Sequence, residues 1–177
     1  SDYDWIKFDQ IAAYREQSTL YTLKNGGKPY PALAFFHIPL PEYKEIKEQP
    51  TTIGERNEKV CSPLINSGLL TSFIEMNDVM GCFVGHDHNN NYSGIYKGVG
   101  LNYGQSSGYS GYGTIGKGAR IIELQEGNRG YNTWVRSDNG SSLYYNYPLG
   151  ASFRDKDYHF HAAKKVTHSS PGLIYKY

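Results

Sequence analysis

Two short runs of this sequence carry side chains suited to metal ions. Gly85-His86-Asp87-His88 follows an apolar run at residues 79–84. In an extended segment residues i and i+2 share a face, so both imidazoles can turn toward one metal cluster. Gly85 removes a side chain where backbone and ligand approach closely. His37 ends a second apolar run, residues 32–37, at the place where parallel α/β sheets put their sites. Two strands joined through a crossover helix would bring the three histidines to one sheet edge, as neutral ligands for zinc, iron or manganese. Each feature alone also fits a plainer reading: a polar loop for His86 and His88, a hydrogen-bonded strand end for His37. His159-Phe160-His161 repeats the spacing without an apolar strand leading in, and reads as surface.

Helices and strands must position these residues. Trp5, Phe8, Ile11 and Ala12 keep a helical spacing that predicts a helix over 4–24, capped by Asp4 or Asp9 and stopped by Asn25-Gly26-Gly27. The strand at 32–37 ends against Pro39 and Pro41, since proline cannot donate to a ladder. Residues 44–62 read as polar and irregular. Ser62-Pro63 predicts a helix start, with Ile65, Leu69, Phe73 and Met76 on one face as far as Asn77. A strand at 79–84 follows. Short strands are expected at 92–96, 98–103, 119–124 and 131–136, with a glycine-rich segment at 104–118 between them. From Ser137 onward loops, one or two edge strands and an extended tail are expected. The alternation is α/β, or mixed α+β.

Composition narrows the function classes. Eighteen basic and seventeen acidic residues leave a charge of +1, which gives no footprint for nucleic acid or an anionic membrane. No apolar run approaches the roughly 20 residues that span a bilayer. Two cysteines, Cys61 and Cys82, are too few for a disulfide framework and read as free, partly buried thiols. Seventeen tyrosines and twenty glycines suit a loop-rich secreted or periplasmic parent protein. Both ends of the chain read as cuts in something longer.

Gly-His-x-His after an apolar strand, with a histidine at a strand end some tens of residues upstream, resembles the last two signature blocks of calcineurin-like metallophosphoesterases. Further residues are similar to the purple acid phosphatase-like branch. These are Gln10-Ile11 to Tyr14, the run Pro31 to Tyr43, Asn66-Ser67-Gly68, Gly85 to Asn90, and Tyr103-Gly104 with Gly108-Tyr109 and Gly111-Tyr112-Gly113. The resemblance covers residues 4–136, leaving 137–177 as an unassigned tail or extension.

The resemblance implies half of a metallophosphoesterase-type β-sandwich, one mixed sheet with flanking helices and Tyr/Gly-rich loops. It implies His37 and His86 on one metal ion and His88 on the other, with zinc, iron or manganese as the pair. A metal-activated hydroxide would attack a phosphoester in line. Asp87, Asn89, Asn90 and Tyr92 would lie at the pocket rim. The family's carboxylate-bearing blocks and its catalytic histidine are absent, so the chain alone is expected to be a poor enzyme with at most a weak partial metal site. The alternative is a non-catalytic module whose Tyr92 to Tyr112 stretch binds carbohydrate or protein. Strands apolar at nearly every position expect cover on both faces. One face falls to the helices. The other falls to the missing N-terminal half, a homodimer of this chain, or the tail.

Overall fold

The computed structural model describes residues 3–140 and 142–150. Helix α1 (Phe8–Lys24) comes first, then strand β1 (Ala32–Phe35), helices α2 (Tyr43–Lys47) and α3 (Leu69–Met76), and strand β2 (Val79–Val84). Five strands complete the described chain: β3 (Ser93–Tyr96), β4 (Val99–Tyr103), β5 (Gly118–Leu124), β6 (Tyr131–Ser137) and β7 (Ser142–Tyr147).

Local chemistry sets the helix limits, in two places against expectation. The Gln10 side chain accepts the Lys7 backbone N–H at 2.7 Å, so α1 starts from Lys7 rather than from an aspartate cap. Asp4 instead pairs with the Lys7 ammonium. Asp9 sits inside the first turn, where its charge favours the helix dipole. Helix α3 begins at Leu69, seven residues after Ser62. The Gly68 N–H is given to Asn66 Oδ1, a side-chain bond that competes with helix formation, and the Ser62 hydroxyl finds no backbone N–H to cap. Residues 44–47, expected to be irregular, belong to α2, which buries Tyr43 and Ile46 completely.

The first sheet has the order β1-β2-β4-β3. Strands β1, β2 and β4 are parallel, with Ala34 opposite Cys82 and Cys82 opposite Leu101. The chain between β1 and β2 is the expected helical crossover. Strand β3 returns antiparallel to β4 through Lys97-Gly98, both left-handed, as a two-residue hairpin turn requires. Strands β5, β6 and β7 form a second, antiparallel sheet. Residues beyond Ser137 therefore continue the same fold at least through β7. The pair His159 and His161 lies outside the described residues.

Each face of the first sheet is covered by this chain. On one face Ile11, Tyr43, Ile46, Leu69, Leu70 and Phe73 from the helices pack on Val79, Cys82, Val84, Val99 and Leu101. Met80 and Phe83, on the other face, pack with Tyr131 and Tyr147 of the second sheet. Contact there is close because Gly81 and Gly100 present no side chain: a Cβ on Gly100 would lie 2.0 Å from the Tyr131 hydroxyl. That hydroxyl accepts a hydrogen bond from Asn102 Nδ2 at 2.9 Å, and Tyr147 donates to Gly98 O at 2.8 Å. The face expected to need a missing half, a second copy or the tail thus carries β5 to β7. Strand β1 stays an open edge, with Phe35 stacked on Phe83 yet 64 % exposed. No helix of the described residues is long and apolar enough to cross a membrane. Both cysteines are free thiols.

Candidate metal centre

Strands β1 and β2 end side by side, and the ladder continues one step past them. Phe36 N–H donates to Phe83 O at 3.2 Å, and Gly85 N–H to His37 O at 3.0 Å. This fixes His37 against the start of the Gly85-His86-Asp87-His88 turn. His37 Nε2 and His86 Nδ1 are 3.3 Å apart, with the rings edge to face at 5.2 Å. Two neutral imidazole nitrogens that close either share one proton or point two lone pairs at a common cation.

The turn is not extended, as the sequence reading had it. His86 has φ 74°, and Asp87 N–H donates back to Gly85 O at 2.9 Å, which makes His86 the centre of a γ-turn. Asn90 N–H then donates to Asp87 O at 3.1 Å, closing a second turn. His86 and His88 therefore face different neighbours. The His88 ring stacks on Tyr112 at 4.1 Å and 10° between planes. Its Nδ1 lies 2.9 Å from Tyr112 O. A carbonyl can only accept, so Nδ1 carries the proton and Nε2 keeps a lone pair. The Tyr112 hydroxyl in turn donates to Glu58 Oε1 at 2.7 Å.

All three histidines line one cavity of about 370 Å³, closed on the far side by Gly104 to Gly111 with Ser106, Ser107 and Ser110. Lys117 ties that loop down: its ammonium donates to Gly111 O at 3.2 Å and Tyr112 O at 3.1 Å. Below lies Arg120, whose guanidinium donates to Tyr103 O, Asn91 O and Thr133 Oγ1. Burial among these neutral acceptors pushes its pKa down to about 10.

The four residues expected at the rim separate. Asp87 turns inward, where Oδ2 accepts from Cys61 N at 3.1 Å and from the Tyr103 hydroxyl at 2.5 Å. Asn90 is buried and grips the Glu58 backbone, accepting its N–H and donating to its carbonyl. Both line the cavity from beneath. Asn89 Oδ1 accepts the Thr114 N–H at 2.6 Å. Tyr92 is no rim residue: it is fully buried in the helix-side core and donates to Tyr43 O at 3.0 Å. A chain leaving a turn into β3 alternates faces, and position 92 falls inward.

Glu58, Tyr112, Lys117 and Arg120 were not singled out for the site from sequence. Of these only Gly111-Tyr112-Gly113 carried a signal, as part of the resemblance. Among the described residues one cluster of three metal-capable side chains is found, Glu58, Cys61 and Asp87, and it includes no histidine.

Several curated proteins are similar to this sequence. A 144-residue stretch is 35 % identical to probable inactive purple acid phosphatase 14 of Arabidopsis thaliana, covering 77 % of this chain and 36 % of that protein. Probable inactive purple acid phosphatase 28 of the same plant is 39 % identical over 134 residues, covering 75 % and 33 %. The chain is purple acid phosphatase-like. Phosphatase DCR2 of Saccharomyces cerevisiae is 36 % identical over 157 residues, covering 78 % of this chain and 25 % of that protein. The purple acid phosphatase-like chain thus spans between a quarter and two fifths of the length of its curated relatives. No protein-family model matches it, and no solved structure does. The mixed sheet, antiparallel sheet and flanking helices fit a metallophosphoesterase-like half-domain.

Proposed function

We propose that this chain is the C-terminal portion of a metal-dependent phosphoesterase and supplies the histidine half of a two-metal site. The observation that carries the reading is the 3.3 Å approach of His37 Nε2 to His86 Nδ1 at the ends of adjacent parallel strands. Donor atoms on one ion stand about that far apart when each bond is ~2.0–2.1 Å. His37 and His86 would hold one ion and His88, through the Nε2 left free by Tyr112, the other. Bound there, zinc, iron or manganese would offset charge on phosphoryl oxygens and acidify water. The residues of this chain hold the imidazoles: Tyr112 sets the His88 tautomer and ring plane, and the ladder to Gly85 fixes His37. Among the described residues no carboxylate groups with the three histidines to bridge two ions, and Asp87 Oδ2 is committed to Cys61 and Tyr103. The open edge of β1 is the natural junction for an N-terminal half that brings the missing ligands.

Calorimetric titration tests this. The chain should bind zinc or manganese weakly, and His37→Ala or His86→Ala should weaken that binding at least about tenfold, a loss that even an outer-shell substitution produces. Turnover of a generic aryl phosphate should stay negligible. A folded chain whose metal binding ignores both substitutions overturns the reading, and robust turnover abolished by His86→Ala shows a complete hydrolase instead. The competing carbohydrate- or protein-binding module loses Tyr92 and Tyr103, which are core residues, and is left with Tyr109 and Tyr112 as its exposed aromatics, the latter stacked on His88.

A further inference from the structure

Beside the histidine turn three side chains with metal-ligating atoms meet, of which Asp87 also lines the cavity. One ligand atom each from Glu58, Cys61 and Asp87 lies within 4.8 Å of the others. Glu58 and Cys61 are partly exposed, so the cluster has an entry from solvent, while Asp87 is only 3 % exposed. A second, independent observation marks the place: Asp87 Oδ1 is buried and receives no hydrogen bond. A buried carboxylate oxygen without a donor is costly unless a cation satisfies it. Its sister oxygen already takes two donors, so the carboxylate is held in one orientation by Cys61 N–H and Tyr103.

We propose that Glu58, Cys61 and Asp87 form a zinc site distinct from the histidine centre. Two carboxylates and one sulfur give three ligands of a tetrahedral ion, with water as the fourth. The thiol selects zinc over calcium or magnesium, which take oxygen donors alone. Bonds of ~2.0–2.2 Å to oxygen and ~2.3 Å to sulfur place tetrahedral donors about 3.5 Å apart, a spacing that atoms within 4.8 Å of one another reach by small side-chain adjustments. Cys61 lies on the irregular segment before α3, where a side-chain rotation supplies that movement. Burial and the two neighbouring carboxylates raise the Cys61 thiol pKa without metal. On binding, the S–H proton leaves to solvent as the zinc–sulfur bond forms, with no change of oxidation state. The ion would pin the turn, because Glu58 also accepts from Asn89 N–H at 2.9 Å and from Tyr112.

Cobalt(II) titration of the full chain reads this site separately, because only a thiolate ligand gives the near-ultraviolet sulfur-to-cobalt charge-transfer band. The expected result is a band that saturates at one equivalent, persists in a His37→Ala/His86→Ala double variant and disappears in Cys61→Ala. Zinc should also slow alkylation of Cys61 by iodoacetamide at least tenfold, since Cys82 is fully buried and does not react in the folded chain. Glu58→Gln should remove that protection, and it leaves the core untouched where Asp87→Asn would disturb Tyr103. Absence of the band in the folded wild-type chain, or alkylation indifferent to zinc, overturns the proposal. Metal binding that depends on the histidines and shows no thiolate band sinks this site while leaving the phosphoesterase reading intact. The reverse result sinks that reading alone.

Discussion

Gly100 decides how near the two sheets come. Any side chain there meets the Tyr131 hydroxyl, which would stand 2.0 Å from the new Cβ. Tyr131 has little room to retreat, being buried, stacked on Tyr147 at 5.1 Å and bonded by Asn102. Gly100→Ala is expected to destabilise the chain by ~1–3 kcal/mol, the usual penalty of overpacking. A change in urea midpoint equivalent to less than about 0.5 kcal/mol would show that the sheets slide apart freely. At this scale sequence and structure agree unevenly. His37, His86 and His88 were legible because each follows an apolar strand, and all three line one cavity. Asp87 was placed only as far as the pocket: its inward bonds to Cys61 and Tyr103 follow from the γ-turn at His86, and backbone dihedrals leave no letter in the sequence.

Strand β7 lies in the segment the sequence left unassigned, and through Tyr147 it is the part of the expected tail that covers the first sheet. It supplies Tyr145 and Tyr147, both buried, and completes the sheet that covers Met80 and Phe83. Ending the chain after Ser137 should therefore expose the edge of β6 and part of that apolar face. Light scattering is expected to show association or precipitation of the truncated chain, as exposed sheet edges and patches recruit partners. A monodisperse, cooperatively folding product would show that β5 and β6 suffice. Strands β2 to β6 were legible from short apolar or alternating runs bounded by glycine, within a residue or two of their limits. Helix α2 was not, because five residues give no period to read. The start of α3 was misplaced for a different reason: Ser62-Pro63 has the right residue types, but Asn66 Oδ1 takes the Gly68 N–H and the Ser62 hydroxyl caps nothing.

The whole molecule is held by buried tyrosines, and this sets its response to alkali. Desolvation raises the hydroxyls of Tyr43, Tyr92, Tyr103 and Tyr131 above their ordinary value near 10, and pushes Tyr145 up to about 12. Below pH 10 folded and unfolded chains both keep these protons. Above it the unfolded chain releases protons that the folded one retains, so stability falls as pH rises, for Tyr145 through about 12. Arg120 runs the other way: its folded pKa near 10 lies below the ordinary 12.5, so deprotonation above 10 relieves a cost. The raised tyrosines, with Tyr14 and the Cys82 thiol beside them, outnumber Arg120 and give a net loss. The buried Cys82 thiol, held by desolvation well above its ordinary value of 9.0, adds a loss that begins lower. Urea midpoints measured from pH 7 to 11.5 should therefore begin to fall near 9 and drop more steeply above 10, and a midpoint flat through 11 would contradict the buried assignments. The loop from Gly104 to Gly118 stands outside that scaffold. Gly104 N–H reaches Val84 O, and Gly118 N–H meets Ser106 O at 3.0 Å, so the chain leaves the first sheet and rejoins the second at nearly the same point. Lengthening a loop whose ends already meet changes closure entropy by only about 0.6 kcal/mol per doubling. Its tip, with Tyr109 81 % exposed, can gain or lose residues without disturbing either sheet. Divergence in what the cavity admits is thereby uncoupled from divergence in the fold, and the wall beside the histidines is the part of this chain free to be rewritten.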